Sequence, residues 1–215
     1  MSEKRIVAGS VGEFLEALAS DAPTPGGGAV AALVAAAGAA LVGMVARLTV
    51  GKKGYEAAEE RMRELADRSD AARMEFLDLA DRDAHAFDDV MTAFKMPKET
   101  DTQRSERSAA IQAGYERAAR VPLECLRKAV DAIPLSVEAT ADGNIQAASD
   151  GLSAAASLYC AAVAAAANVQ INAEALKDEA ARTRLLDEIG SLGSRAERSM
   201  REAQAAFEVR MTAHP

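Results

Sequence analysis

Tryptophan is absent, and aromatic residues make up only 4% of the 215-residue chain. Hydrophobic residues still reach 49%, so a core must be filled by alanine and aliphatic side chains. No segment shows the two-residue alternation of a half-buried strand. Cysteine is scarce: Cys125 and Cys160 stand far apart, with no C-x-x-C spacing. That argues against a disulfide or zinc framework and for buried thiols of a cytosolic protein. With only two histidines, His85 and His214, no His/Cys metal cluster is expected. H-E-x-x-H, a Walker loop and a nucleophile elbow are all missing. Positive charge is in deficit, and the net charge of −8 argues against a nucleic-acid partner. MSEKRIVAGS has no apolar stretch of a secretory signal, so a cytoplasmic location is expected.

The most distinctive stretch runs from Ala22 to Lys53. A Pro/Gly turn, Pro23-Thr24-Pro25-Gly26-Gly27-Gly28, opens onto a helix of Ala, Val, Gly and Leu that ends at Gly51-Lys52-Lys53. Thr24 is the expected N-cap and Pro25 the expected first helical residue. Three glycines are poor helix formers, and close approach to a neighbour or ligand is the physical reason to keep them. Small residues all round the helix imply burial, either in a bilayer or at the centre of a bundle. An alanine-dominated run interrupted by Arg47 favours the bundle, hence no membrane. Lys52 and Lys53 suit a capped helix end and, equally, an anion site.

The rest reads as helices in one 1–215 domain. Val11 to Ser20 is short and amphipathic, with Phe14, Leu15 and Leu18 as its stripe. A charged helix follows from Tyr55 to about Lys95. Met96 to Asp101 is a loop, and Asp101 or Thr102 is expected to cap the next helix. Pro122 and Pro134 are expected to bend or divide that helix. Asp142-Gly143-Asn144 forms a turn. A second Ala-rich helix spans Ile145 to about Asn172, and a last amphipathic one covers Ala173 to about Met211, with a break expected near Gly190 or Gly193. The predicted fold is an all-α bundle, two buried Ala-rich helices surrounded by long amphipathic ones.

One acid is out of place. At about 100° per residue, Asp83 falls within about 40° of the stripe formed by Leu65, Ala72, Phe76, Leu79, Phe87, Val90 and Phe94. Asp78, Asp81, Asp88, Asp89 and His85 project away from it. A carboxylate on a buried face needs a partner or a task, and desolvation would raise its pKa toward that of a general acid. A structural Asp bonded to a neighbouring helix end or an Arg is the competing reading. A second polar seam, Gln146, Asp150, Ser153, Ser157, Asn168 and Asn172, lies on one broad face of the second Ala-rich helix. It suits either close packing or a ligand rich in donors and acceptors.

Several blocks in one order resemble the formiminotransferase-cyclodeaminase family in its cyclodeaminase/cyclohydrolase domain. They are Pro23 to Gly28, Leu48-Thr49-Val50-Gly51-Lys52-Lys53, Asp81 to Phe87, Met96-Pro97-Lys98, Val121-Pro122-Leu123, Gly143-Asn144, Ser149-Asp150 and Asn168 to Asn172. The resemblance implies an all-helical homodimer acting on tetrahydrofolate one-carbon units, with the folate as substrate and no separate cofactor or metal. It implies either closure of 5-formiminotetrahydrofolate to the 5,10-methenyl form with loss of ammonia, or hydrolytic opening of the methenyl form to 10-formyltetrahydrofolate. The catalytic acid of the family's D-x-D-x-x-A-[FY] block falls on Asp83. Pro25, Gly26, Gly27 and Gly28 would approach the ligand, Lys52 and Lys98 would attract its glutamate tail, and Asn144, Asp150, Asn168 and Asn172 would join the substrate site. Ala29 and Gln146 depart from the family pattern of Ser and Asn. A non-catalytic helical dimer remains the rival from another class.

Overall fold

In the computed structural model, residues 6–86 and 88–213 are described; Phe87, His214 and the first five residues, which the sequence reading touched, lie outside them. All regular elements among the described residues are helical. They are α1 (Val11–Leu18), α2 (Gly27–Arg47), α3 (Glu59–Ala86), α4 (Asp88–Phe94), α5 (Asp101–Asp142), α6 (Ala148–Glu174) and α7 (Glu179–Ala213). Single 3-10 turns precede α1, α3 and α6.

The two Ala-rich helices, α2 and α6, lie side by side at the centre. Gly38 lets them meet: a Cβ there would stand 2.9 Å from Leu158 and 3.0 Å from the Ala154 carbonyl. The helices run antiparallel, because Gly27 is beside Asn168 and Gly38 beside Leu158. Larger side chains on the flanking helices fill the remaining space. Met62, Leu65, Phe76 and Leu79 of α3, and Leu126, Val130 and Ile133 of α5, are essentially inaccessible. Buried hydroxyls donate to carbonyls one turn back, Thr49 to that of Val45 and Thr140 to that of Ser136, which satisfies each donor locally.

Several local expectations change. Thr24 and Pro25 do not start α2; the N-cap is Gly26, in extended conformation with no side chain to cap with. Thr100, in a capping box with Gln103, starts α5. That helix continues through both Pro122 and Pro134, held on its buried side by α6 and α7. The predicted break in α7 is also absent; nothing lies within 4 Å of a Cβ at Gly190 or Gly193, so these glycines weaken an exposed face without ending the helix. The charged helix expected from Tyr55 to about Lys95 is helical over Glu59–Ala86 and Asp88–Phe94, and the one position between these stretches lies outside the described residues. Asp81 is not turned wholly to solvent, since it accepts the Val7 N–H at 3.2 Å.

The Ala-rich helices are not buried on every side. Ala37, Ala40 and Met44 of α2 form an exposed stripe, and Ser153, Ala156, Cys160, Val163 and Ala167 form one on α6. Neither stripe carries a charge.

Candidate active site

The N-terminus of α2 lacks a capping side chain of its own, and α3 supplies one. The Asp83 carboxylate accepts the backbone N–H of Ala29, the third residue after the Gly26 N-cap, where a local Ser or Asp would normally bond. This contact dictates glycine at 28. A Cβ there would lie 2.1 Å from Asp83 Oδ1, which no side chain tolerates. Gly27 is nearly as restricted, with Asn168 Nδ2 at 3.1 Å from its would-be Cβ. Two of the three glycines thus admit an acid and an amide to the helix end.

Around this contact lies a cavity of about 380 Å³, lined by Gly26, Gly27, Gly28, Asp83, Asn168 and Asn172 among others. Burial pushes the Asp83 carboxyl above the ordinary aspartate range, while the Ala29 N–H pulls the other way. Its charge is felt behind the site: the Cys125 thiol is pushed up to about 12, chiefly by burial, with Asp83 and then Glu124 adding to it. Cys125 is therefore an inert packing residue. Nearby Arg82 bonds Glu124 and Asp78 and is not the counter-ion of Asp83. Among the described residues no cation pairs with Asp83, and a desolvated carboxyl at a cavity wall is suited to exchanging protons.

Asn168 and Asn172 each spend an amide N–H on a carbonyl one turn back, Ala164 and Asn168 respectively, at 2.8 Å. Their Oδ1 acceptors remain for a ligand with N–H donors. Pro122 has no N–H to offer the Ala118 carbonyl, and both residues line the cavity, placing a further acceptor near it. Tyr115 and Ile171 complete the apolar wall.

Several expected residues stand elsewhere. Pro23, Thr24 and Gly26 line the cavity, whereas Pro25, between Thr24 and Gly26, does not. Lys52 and Asn144 are together at the opposite end of α2, a helix about 30 Å long. There Lys52 Nζ donates to Asn144 Oδ1 at 2.7 Å and lies 6.0 Å from the Tyr55 ring centroid. Asp150 sits near that same end, in the first turn of α6. Within one chain, Lys52, Asn144 and Asp150 do not reach Asp83. Lys98 lines a separate cavity beside α5. His85 is exposed and faces Asp88. Tyr115, Ala118 and Pro122 were not expected at the site; the mid-helix proline was the available signal for the latter two. Among the described residues no three His, Cys, Asp or Glu side chains converge as metal ligands.

Comparisons with known proteins cover the helices that carry this site. The family model described as formiminotransferase-cyclodeaminase matches residues 10–191. A methenyltetrahydrofolate cyclohydrolase of Methylorubrum extorquens is 41% identical over 179 residues, covering 83% of this chain and 86% of that protein. The formimidoyltransferase-cyclodeaminase of Rattus norvegicus is 34% identical over 190 residues; this chain spans only 35% of its length. The crystal structure of the formiminotetrahydrofolate cyclodeaminase of Thermotoga maritima superposes with a TM-score of 0.83 at 32% identity, covering 94% of this chain and 98% of that one. With the matching region extending through both α2 and α6, the chain belongs to the formiminotransferase-cyclodeaminase family.

Proposed function

We propose that the chain is a folate one-carbon enzyme, a methenyltetrahydrofolate cyclohydrolase in which Asp83 is the general acid/base. The observation that carries this reading is the Asp83 carboxyl itself, desolvated at the wall of a cavity that also contains two asparagine amides. Methenyltetrahydrofolate is a cation whose one-carbon bridge joins N5 and N10. Water adds to the bridge carbon and passes one proton to Asp83. The carbon–N5 bond then breaks, Asp83 returns that proton to N5, and the second water proton leaves to solvent as the formyl C=O forms. The products are 10-formyltetrahydrofolate and one proton, so the step balances. A carboxyl positioned for such transfer contributes about 10²–10⁴-fold. Asn168 and Asn172 accept the pterin's N–H groups, and the glycines bring backbone to the ring.

The likeness to the M. extorquens protein over most of both chains favours hydrolysis. The second reading, closure of formiminotetrahydrofolate with loss of ammonia, is favoured by the likeness to the T. maritima structure. Asp83 would then protonate the leaving ammonia. Methenyltetrahydrofolate absorbance distinguishes them: the cyclohydrolase reading expects decay faster than in buffer with the wild type and not with Asp83→Asn. Formation of the same chromophore from formiminotetrahydrofolate, without that decay, transfers the assignment to the deaminase. Inactivity in both assays removes both readings.

A homodimer through the uncharged α2/α6 face is part of the proposal. Met44 is 38%, Leu48 50% and Val163 54% exposed there, an unusual concentration of apolar surface on an acidic chain. A two-fold axis through the middle of the stripe, perpendicular to α2, reverses the partner's ends. It brings Lys52, Asn144 and Asp150 of the partner subunit toward Asp83. The two cysteines, Cys125 and Cys160, form no disulfide with each other, which supports a reducing, cytoplasmic setting. Sedimentation of Val163→Glu as a monomer, against a dimeric wild type, is the expected result for the interface.

A further inference from the structure

Two prolines inside α5 each remove a backbone donor. In an α-helix a carbonyl accepts the N–H four residues on. A proline there has no N–H to give, and its ring pushes that carbonyl aside. Since α5 continues through Pro122 and Pro134, the Ala118 and Val130 carbonyls are the two that lose their helical donor. The two losses are not equivalent. Pro134 is exposed, so bulk water reaches that side of the helix. Pro122 is buried, and Ala118 is only 3% exposed. A buried backbone carbonyl is ordinarily paired with protein, ordered water or a ligand.

The space beside that stretch of α5 is the Asp83 cavity. Tyr115, Ala118 and Pro122 recur at helical spacing on one face of α5, and all three line it. Cys125 continues the same face, and its thiol feels the Asp83 charge, which sets Asp83 opposite these turns. The wall is held from behind by α4. Phe94 packs edge-on to Tyr115 with ring centroids 6.4 Å apart. A Cβ at Gly114 would lie 3.1 Å from Val90, and Arg117 Nε donates to Asp89 at 2.8 Å. Asp83 has the proton to move, and Asn168 and Asn172 have the pterin to hold. The Ala118 carbonyl is a further acceptor in the same cavity, on the wall across from the two asparagines.

We infer that the Ala118 carbonyl, freed by Pro122, holds the attacking water during hydrolysis, with Pro122 as the positioning residue. The inference rests on the cyclohydrolase reading above and adds a second acceptor to it. A water held by one acceptor swings about that single bond; two acceptors aim an oxygen lone pair at the bridge carbon. The carbonyl takes one hydrogen in a hydrogen bond. The Asp83 carboxylate takes the other as a proton while the oxygen adds to carbon. The carbon–N5 bond then breaks and Asp83 returns its proton to N5. The hydrogen held at Ala118 leaves to solvent as the formyl C=O forms, and the carbonyl itself is never protonated. Orientation of this kind acts on the chemical step and leaves substrate binding unchanged.

Pro122→Ala restores the N–H that ties up the Ala118 carbonyl, so the variant should be a better helix and a poorer enzyme. Its thermal midpoint should equal or exceed that of wild type. With methenyltetrahydrofolate its kcat should fall about tenfold, the size of one hydrogen bond, at unchanged KM. Amide exchange followed by NMR should show the new N–H at position 122 protected. Pro122→Val restores the same N–H with a volume closer to proline and should behave alike. Pro134→Ala, at the solvent-facing proline, should keep wild-type kcat. Wild-type kcat in both Pro122 variants overturns the inference and leaves the cyclohydrolase reading standing. So does a loss with the new N–H unprotected, an equal loss in Pro134→Ala, or unfolding of both Pro122 variants, which would make the proline a packing residue. A wild-type protein that does not hydrolyse methenyltetrahydrofolate sinks the reading and the inference together.

Discussion

The two ends of α2 are built from equally unusual sequence and do opposite things with their polar groups. At the C-terminal end Thr49, Lys52 and Asn144 all find protein partners. The Asn144 N–H donates to Thr49 Oγ1 at 2.8 Å, its Nδ2 to the Leu48 carbonyl at 3.3 Å, and its Oδ1 accepts from Lys52. The Ile145 N–H donates to the Tyr55 hydroxyl at 2.9 Å, and Arg210 Nη2 to the Gly143 carbonyl at 2.6 Å. At the N-terminal end the cap is an ionisable carboxyl from another helix, facing a cavity. A satisfied network fixes geometry. An end capped by a group whose pKa is already displaced keeps chemistry in reserve, because the cap can exchange a proton without the helix losing its packing.

Replacing the cap atom for atom breaks this contrast most sharply. Asp83→Asn retains an oxygen for the Ala29 N–H and removes the exchangeable proton. It should fold normally and lose about 10²–10⁴-fold in kcat, measured by methenyltetrahydrofolate absorbance. Equal loss of helicity and activity would return Asp83 to a purely structural role. Next in size is Gly28→Ala, whose added methyl meets Asp83 Oδ1 at 2.1 Å. Displacing the carboxylate should cost about 1–3 kcal/mol of stability and at least tenfold in kcat, an activity loss of about 1.4 kcal/mol or more. Gly51→Ala, at the other end, has φ 72° and nothing within 4 Å of its Cβ. It should cost about 1 kcal/mol without that drop in kcat, and parity between the two glycines would remove the distinction.

If the two ends meet across a dimer, the contrast is between subunits. Asp83→Asn and Lys52→Met are each expected to be inactive or nearly so. Unfolded and refolded together in equal amounts, they should recover about a quarter of wild-type activity, since half the dimers are mixed and one of their two sites is intact. No recovery, with mixed dimers demonstrated by tag pull-down, would confine the site to a single chain and leave the Lys52–Asn144 pair to structure.

The bundle was legible because its signals are local and periodic. Ala-rich runs, the Gly143-Asn144 turn and the stripe through Leu65, Phe76, Leu79 and Val90 all specify helix faces, and these four side chains are buried. Asp83 was legible for the same reason, as the wrong residue type on that stripe. What escaped depended on neighbours distant in sequence. Thr24 resembles a cap until α3 provides one; Asp81 resembles surface until Val7 arrives. Lys52 and Asn168 stand in comparable motifs, but only three-dimensional pairing separates their ends of α2. Tyr115, hidden as one more apolar residue, acquires significance only when Phe94 and Asn172 are beside it.

The smallest effect concerns stability against pH. Burial raises the Asp83 carboxyl above its unfolded value, so the folded chain holds that proton more tightly than the unfolded one. Folding then binds a proton in the window between the two values, and stability falls as pH rises through it. Below the ordinary aspartate range the group is neutral in both states and contributes nothing; above the raised value the buried charge is a constant cost, softened by the Ala29 N–H. Asp83→Asn lacks this term. Urea unfolding of the two proteins should therefore give similar midpoints below the ordinary aspartate range, with the wild type falling below the variant as pH rises from there to the raised value. The opposite divergence, with wild type gaining on the variant as pH rises, would mean that the helix end stabilises the ionised form after all. Asp83 would then be a fixed capping charge, and the N-terminal end of α2 would be as fully satisfied as the other.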